Sequence, residues 1–106
     1  MNSEDLIDKQ LNIDNLFKDF HHPNPNINHH SVLLMIRFFP EESLQRLMDN
    51  LGSSDLILRR KTIKAIAEFR QLAINSLVEE LSYTSNKMIK ISILKSLTII
   101  AARSNP

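Results

Sequence analysis

The strongest constraint on the fold is an internal repeat with a period of 31 residues. Residues 55–69 align with residues 24–38 in one direction along the chain and with residues 86–100 in the other. Each copy starts with a residue type that commonly caps the N-terminus of a helix, namely Asn24, Asp55 and Asn86. Three later columns are apolar in every copy: Ile27, Leu58 and Ile89; Val32, Ile63 and Leu94; Met35, Ile66 and Leu97. This self-similarity predicts three copies of one helical unit.

A second helical pattern precedes each capped helix. Its apolar residues follow the i, i+3, i+4, i+7 spacing of an amphipathic helix. The three stripes are Ile13, Leu16, Phe17 and Phe20; Leu44, Leu47, Met48 and Leu51; Ile74, Leu77, Val78 and Leu81. We therefore predict a single all-α domain of three helical hairpins, at about 10–39, 41–70 and 72–103, after a short leader.

The capped helices are apolar on more than one face, as the run Val-Leu-Leu-Met-Ile at residues 32–36 illustrates. A helix of this type needs partners on two sides, which a stacked array of hairpins provides. The stripes and caps thus favour an α-α superhelix, in which the Phe residues at 17, 20, 38, 39 and 69 belong to the core. An ordinary six-helix bundle is the alternative.

The ridge of the capped helices is the surface that such arrays use for binding. It mixes cationic with apolar side chains, which suits a protein or an anionic pigment better than a phosphate backbone. The candidate partner-binding residues are His29, His30, Arg37, Arg60, Lys61, Lys64, Lys95 and Ile99. A merely solvated face is the alternative for the same residues, and we expect Arg59 to form an ion pair with Asp55.

Composition removes most enzyme classes. The single glycine, Gly52, excludes glycine-rich phosphate loops and nucleophile elbows, and the absence of cysteine excludes disulfides, thiolate metal sites and a cysteine nucleophile. Four histidines occur at positions 21, 22, 29 and 30, but adjacent residues on a helix diverge by about 100°, and residues 21–30 contain no carboxylate or cysteine. We predict no catalytic residue, no metal site and no cofactor.

Charge and hydropathy disfavour two classes of partner, nucleic acids and membranes. Thirteen Lys and Arg residues against twelve Asp and Glu residues give a net charge of +1, and there is no tryptophan, which disfavours a nucleic-acid partner. The start, MNSEDLIDKQ, is acidic and lacks the apolar region of a signal peptide. The longest apolar runs, 32–36 and 96–102, are too short for a bilayer, so we expect a cytoplasmic location and no membrane partner.

Hairpins of about 31 residues with a capped second helix resemble HEAT-like repeats, which carry a basic residue four places after the cap. Arg59 and Lys90 match this pattern, and Asn28 departs from it. More narrowly, residues 22–27 (HPNPNI), and Asp55 followed by LRRK at 58–61, resemble the HEAT-like proteins associated with cyanobacterial and plastid phycobilisomes. That group includes subunits of E/F-type phycobilin lyases and a phycobilisome-degradation factor.

The resemblance implies a protein partner, either a phycobiliprotein subunit or a second HEAT-like subunit, and a location in the cytoplasm or the plastid stroma. It implies at most one subunit of a phycobilin lyase rather than an enzyme acting alone. In such lyases the reacting cysteine belongs to the substrate, so its absence here is no objection. A structural accessory protein without catalysis is the alternative, and a nucleic-acid-binding solenoid is a further one.

The last capped helix carries more apolar residues than one contact face can cover: Ile91, Ile93, Leu94, Leu97, Ile99 and Ile100. Some of these side chains should therefore be exposed in a monomer, and exposed apolar patches commonly mark interfaces. We predict that helix 86–103 meets a partner or a second copy of the chain.

Overall fold

A computed structural model describes residues 11–104, and this range contains six α-helices and no β-strand. The helices are α1 Ile13–Phe20, α2 Pro25–Phe38, α3 Pro40–Met48, α4 Leu56–Glu68, α5 Gln71–Tyr83 and α6 Lys87–Ser104. The prediction of an all-α chain is confirmed over this range. The predicted leader and the first residue of the first hairpin lie outside the described residues.

Two compact units divide the chain after Ser43, so that the division falls within α3. In the first unit, α1 packs against α2. In the second unit, α6 packs against both α4 and α5. The second unit contains the helices on which most of the candidate binding residues lie.

Side-chain caps begin the three helices that the repeat predicts to be capped. In each case the side-chain Oδ1 accepts a hydrogen bond from a backbone N–H two or three residues later. The bonds, donor to acceptor, are Asn26 to Asn24 at 2.9 Å, Leu58 to Asp55 at 3.1 Å and Ile89 to Asn86 at 3.0 Å. The three predicted caps are therefore confirmed.

The predicted ion pair between Asp55 and Arg59 is wrong. The Arg59 guanidinium Nη1 instead donates to the backbone carbonyl of Ser53, 2.7 Å away. The Asp55 carboxylate is exposed and already caps α4, where an ion pair would add little stability in water. The Ser53 carbonyl is the better acceptor because it lies in the turn before α4 and accepts no hydrogen bond within a helix.

The predicted aromatic core is only partly correct. Phe20 and Phe69 are buried, whereas Phe38 is 46% exposed at the end of α2. The guanidinium carbon of Arg37 lies 5.2 Å from the centre of the Phe38 ring, so that a cation covers this ring in place of the core. Val78 on α5 is exposed as well, and so is Tyr83, the last residue of α5.

Helices α4 and α6 run in the same direction and approach each other closely. The buried Ser96 hydroxyl donates to the Ile63 carbonyl at 3.1 Å, and Arg103 Nη1 donates to Glu68 Oε1 at 2.6 Å. The two pairs are separated by 33 and 35 residues in the sequence. Nearly equal separations indicate parallel helices, because in an antiparallel pair the separation would change along the helices. Ala65 and Ser96 lie 31 residues apart, in the same column of the repeat, and both are buried.

Candidate partner-binding groove

An open groove of about 670 Å³ lies between α4 and α6. The residues facing it recur at the spacing of one helical face on both helices. They are Arg60, Ile63 and Lys64 from α4, and Ile91, Leu94, Lys95, Thr98 and Ile99 from α6. We call this feature the α4–α6 groove.

The floor of the α4–α6 groove is apolar and remains partly open to solvent. Ile63 is buried, but Ile91 is 46% and Leu94 is 52% exposed. Because hydration of aliphatic surface is unfavourable by roughly 25 cal/mol per Å², such side chains gain free energy when a partner covers them. The predicted exposure of apolar residues on the last helix is therefore confirmed for Ile91 and Leu94, whereas Ile93 and Ile100 are buried.

Cations line the rim of the α4–α6 groove. Arg60, Lys64 and Lys95 are all exposed. Over the described part of the chain, none of their side chains makes a hydrogen bond or an ion pair. Glu68, the acid one turn beyond Lys64 on the same line of α4, is instead engaged by Arg103. The groove therefore presents uncompensated positive charge beside apolar surface.

Half of the predicted binding residues meet at this one feature. Four of the eight, Arg60, Lys64, Lys95 and Ile99, line the groove. Lys61 lies on α4 but does not face the groove, and it is half-buried. The remaining three, His29, His30 and Arg37, are exposed on α2 in the first unit.

The predicted contact residues omit three apolar residues that line the groove, Ile63, Ile91 and Leu94. Of these, Ile63 and Leu94 occupy a repeat column that the helical spacing assigns to the core. Ile63 does belong to the core, and it forms the deep part of the floor. The excess of apolar positions on α6 was the available signal for Leu94.

Two of the four histidines make local contacts in the first unit. His22 Nδ1 accepts a hydrogen bond from the Asn24 backbone N–H at 3.0 Å, and the His21 ring packs edge-on against Phe20 at 5.4 Å between ring centres. Within residues 11–104, no three His, Cys, Asp or Glu side chains are grouped so that they could hold a metal ion. No helix in the same range has the length and apolar character required to cross a bilayer.

Comparison with known proteins gives one distant relative. No family model matches the chain, and no solved structure matches it. The chain is 26% identical over 87 residues to an "uncharacterized phycocyanin operon protein Z" of Pseudanabaena tenuis. The alignment covers 82% of this chain but 43% of the relative, so the chain spans less than half of the relative's length. What the comparisons establish is distant similarity to a protein of a phycocyanin operon.

Proposed function

We propose that the chain is a protein-interaction module with the HEAT-like α-α superhelical arrangement, and that it associates with phycobiliproteins. The observation that carries the proposal is the α4–α6 groove, where exposed Ile91 and Leu94 lie beside three cations that have no partner within residues 11–104. Apolar side chains that a monomer leaves in water, next to charges without counter-ions, are the features of a surface that a partner completes.

The arrangement of α4 and α6 supports the superhelical part of the proposal. Two capped helices from successive repeats lie side by side and parallel, and the residue pairs that join them are separated by 33 and 35 residues. Stacking of equivalent helices at a separation close to the repeat length is what an array of hairpins requires. The predicted hairpin boundaries at about 10–39, 41–70 and 72–103 belong to the same proposal.

The identity of the partner rests on the similarity to the phycocyanin operon protein. Phycobiliproteins are therefore the first partner to test, with a second HEAT-like subunit as the alternative. The remaining predicted contact residues lie outside the groove and stay proposals of their own: His29, His30 and Arg37 on α2, and Lys61 on α4. If the chain takes part in bilin attachment, we propose that it positions the phycobiliprotein as one subunit of a lyase and does not itself catalyse attachment.

The test is sedimentation of the fluorescently labelled chain with purified phycocyanin. A free chain of 12.2 kDa sediments slowly, whereas a bound chain moves with the phycocyanin boundary. Leu94→Asp should abolish co-sedimentation because it places a charge on the groove floor. The matched control is Leu72→Asp, which alters an exposed leucine of α5 outside the groove and should bind like the parent.

Absence of co-sedimentation by the parent chain would refute the phycobiliprotein partner. Equal binding by the Leu94→Asp and Leu72→Asp variants would refute the groove as the contact surface. A further mixture contains this chain, a bilin-free phycobiliprotein subunit and free phycobilin, and it distinguishes positioning of the phycobiliprotein from catalysis of bilin attachment. Covalent attachment that depends on this chain alone would contradict the non-catalytic role.

A further inference from the structure

The backbone around the α4–α6 groove restricts what can bind there. Both walls are helices, so their backbone N–H and C=O groups are committed to hydrogen bonds within each helix. An extended segment bound in the groove would therefore find no backbone partners for its own polar groups, which is costly when water is excluded. A helical segment satisfies its own backbone, and its side-chain ridge fits a groove between two helices.

The length of the groove matches about two turns of a helix. From Ile91 to Ile99 the α6 wall covers eight residue steps, which is about 12 Å at 1.5 Å per residue. Apolar side chains at i, i+3 and i+7 of a bound helix extend over about 10 Å and can contact the whole floor. The volume of about 670 Å³ leaves room for several such side chains.

The rim determines the charge of the occupant. Arg60 and Lys64 are four residues apart on α4, which separates them by about 6 Å along the axis, and Lys95 lies on the opposite wall. Carboxylates at i and i+4 of a bound helix have the same spacing as Arg60 and Lys64. An acid on the other flank of its apolar stripe can reach Lys95. The complementary ligand is thus acidic on both sides of an apolar stripe.

We infer that the α4–α6 groove binds an acidic amphipathic helix of the partner protein. This inference deepens the proposed function and rests on it for the use of the groove. The apolar stripe covers Ile91 and Leu94, and the flanking carboxylates neutralise Arg60, Lys64 and Lys95. The cations set the orientation and reject basic helices, while the floor contributes most of the binding free energy.

Three synthetic helices of about 18 residues, a length that supports helicity in water, test the inference by fluorescence anisotropy with the full chain. The first carries leucine at i, i+3 and i+7 with glutamate on both flanks. The second has lysine in place of every glutamate, and the third is the acidic peptide with a central proline. We expect the acidic helix to bind at least about tenfold more tightly than either of the others.

Charge reversal provides the matched variants. Lys64→Glu with Lys95→Glu should exchange the preference, so that the basic helix binds more tightly. Lys87→Glu with Lys90→Glu makes the same change in net charge at exposed positions of α6 outside the groove, and it should retain the preference for the acidic helix. The exchange of preference cannot result from unfolding, because an unfolded variant would bind neither helix.

Equal affinity of the parent chain for the acidic and basic helices would overturn the inference. It would also be overturned if the Lys64→Glu, Lys95→Glu variant still preferred the acidic helix, as the control variant should. Tight binding of the proline peptide would also overturn it, since the groove would then accept an acidic amphiphile of any conformation. The outcome is independent of phycocyanin. Selective peptide binding without phycocyanin binding upholds the inference and refutes the proposed partner, whereas phycocyanin binding without peptide selectivity does the reverse.

Discussion

Arg70 has the most unusual backbone among the described residues. Its φ is 53° and its ψ is −125°, and it is the one described non-glycine residue with positive φ. It precedes α5 without providing a side-chain cap. A residue with a Cβ atom in this region of the backbone map is strained by about 1–3 kcal/mol. The short connection between α4 and α5 imposes this conformation.

We expect Arg70→Gly to raise the free energy of unfolding by about 1 kcal/mol, because relief of strain exceeds the extra backbone entropy that glycine gains in the unfolded state. The measurement is chemical denaturation of both proteins. Arg70→Ala is the control, since alanine keeps the Cβ atom and should not stabilise the chain. Equal stability of the glycine and alanine variants would show that the backbone at residue 70 is not strained.

The N-caps are the residue-scale feature that the sequence predicts best. Asp55→Ala and Asn86→Ala should each lower the free energy of unfolding by about 1 kcal/mol, because each leaves a first-turn N–H of α4 or α6 without its acceptor. Thermal melts check the effect. Ser54→Ala, at an exposed neighbouring position, should melt like the parent. Parent-like melts for both cap variants would contradict the assignment of the repeat register.

Caps could be predicted because they depend on a few consecutive residues. The environments of Arg59 and Phe38 could not, because the first depends on the path of the turn before α4 and the second on which side chains reach the end of α2. The guanidinium of Arg59 finds a carbonyl six residues earlier, in the turn that precedes α4. The ring of Phe38 ends a helix at a point where Arg37 covers it.

At the scale of elements, the turn after α3 lies against the start of α6. A Cβ atom added to Gly52 would lie 2.9 Å from Ile89 Cγ1, closer than two carbons can approach. The neighbouring Leu51 carbonyl accepts a hydrogen bond from the buried Ser92 hydroxyl at 2.8 Å, which holds the turn against α6. Any larger residue at this position would therefore displace the Ile89 side chain, and the preference for glycine is one of space because its φ is not positive.

Gly52→Ala should therefore lower the free energy of unfolding by about 1–3 kcal/mol, the usual range for overpacking. Ile89→Ala should reduce this cost, because it removes the atom that the new methyl group meets. A double-mutant cycle measured by denaturation gives the coupling between the two positions. Additive effects of the two substitutions would mean that the turn and α6 are not in contact as described.

The spacing of apolar residues does not predict where a helix ends or how much of its face is buried. The repeat predicts a four-residue connection from Ser82 to Ser85, yet α5 continues through Tyr83. Val78 matches the apolar stripe of α5 and is nonetheless exposed. Spacing predicts which residues share a helical face, but the neighbours of a helix decide how much of that face is covered.

At the scale of the whole molecule, charge is balanced overall and concentrated locally. The net charge is only +1, while three cations that pair with no residue in the described range line the α4–α6 groove. Composition therefore could not indicate the groove. The repeat could, because it places Arg60 in one column with Ile91, and Lys64 in one column with Lys95. The depth of the groove floor could not be predicted from the repeat, because it depends on how α4 packs against α6.

The absence of cysteine allows the central claim, that a phycobiliprotein covers the α4–α6 groove, to be tested at single positions. Leu94→Cys places a thiol in the groove, and Tyr83→Cys places one at an exposed site outside it. The measurement is the rate of alkylation by N-ethylmaleimide, followed as the mass of this chain, without and with saturating phycocyanin. We predict that phycocyanin slows alkylation at position 94 and leaves position 83 unchanged. An unchanged rate at position 94, or slower alkylation at position 83 alone, would contradict the account.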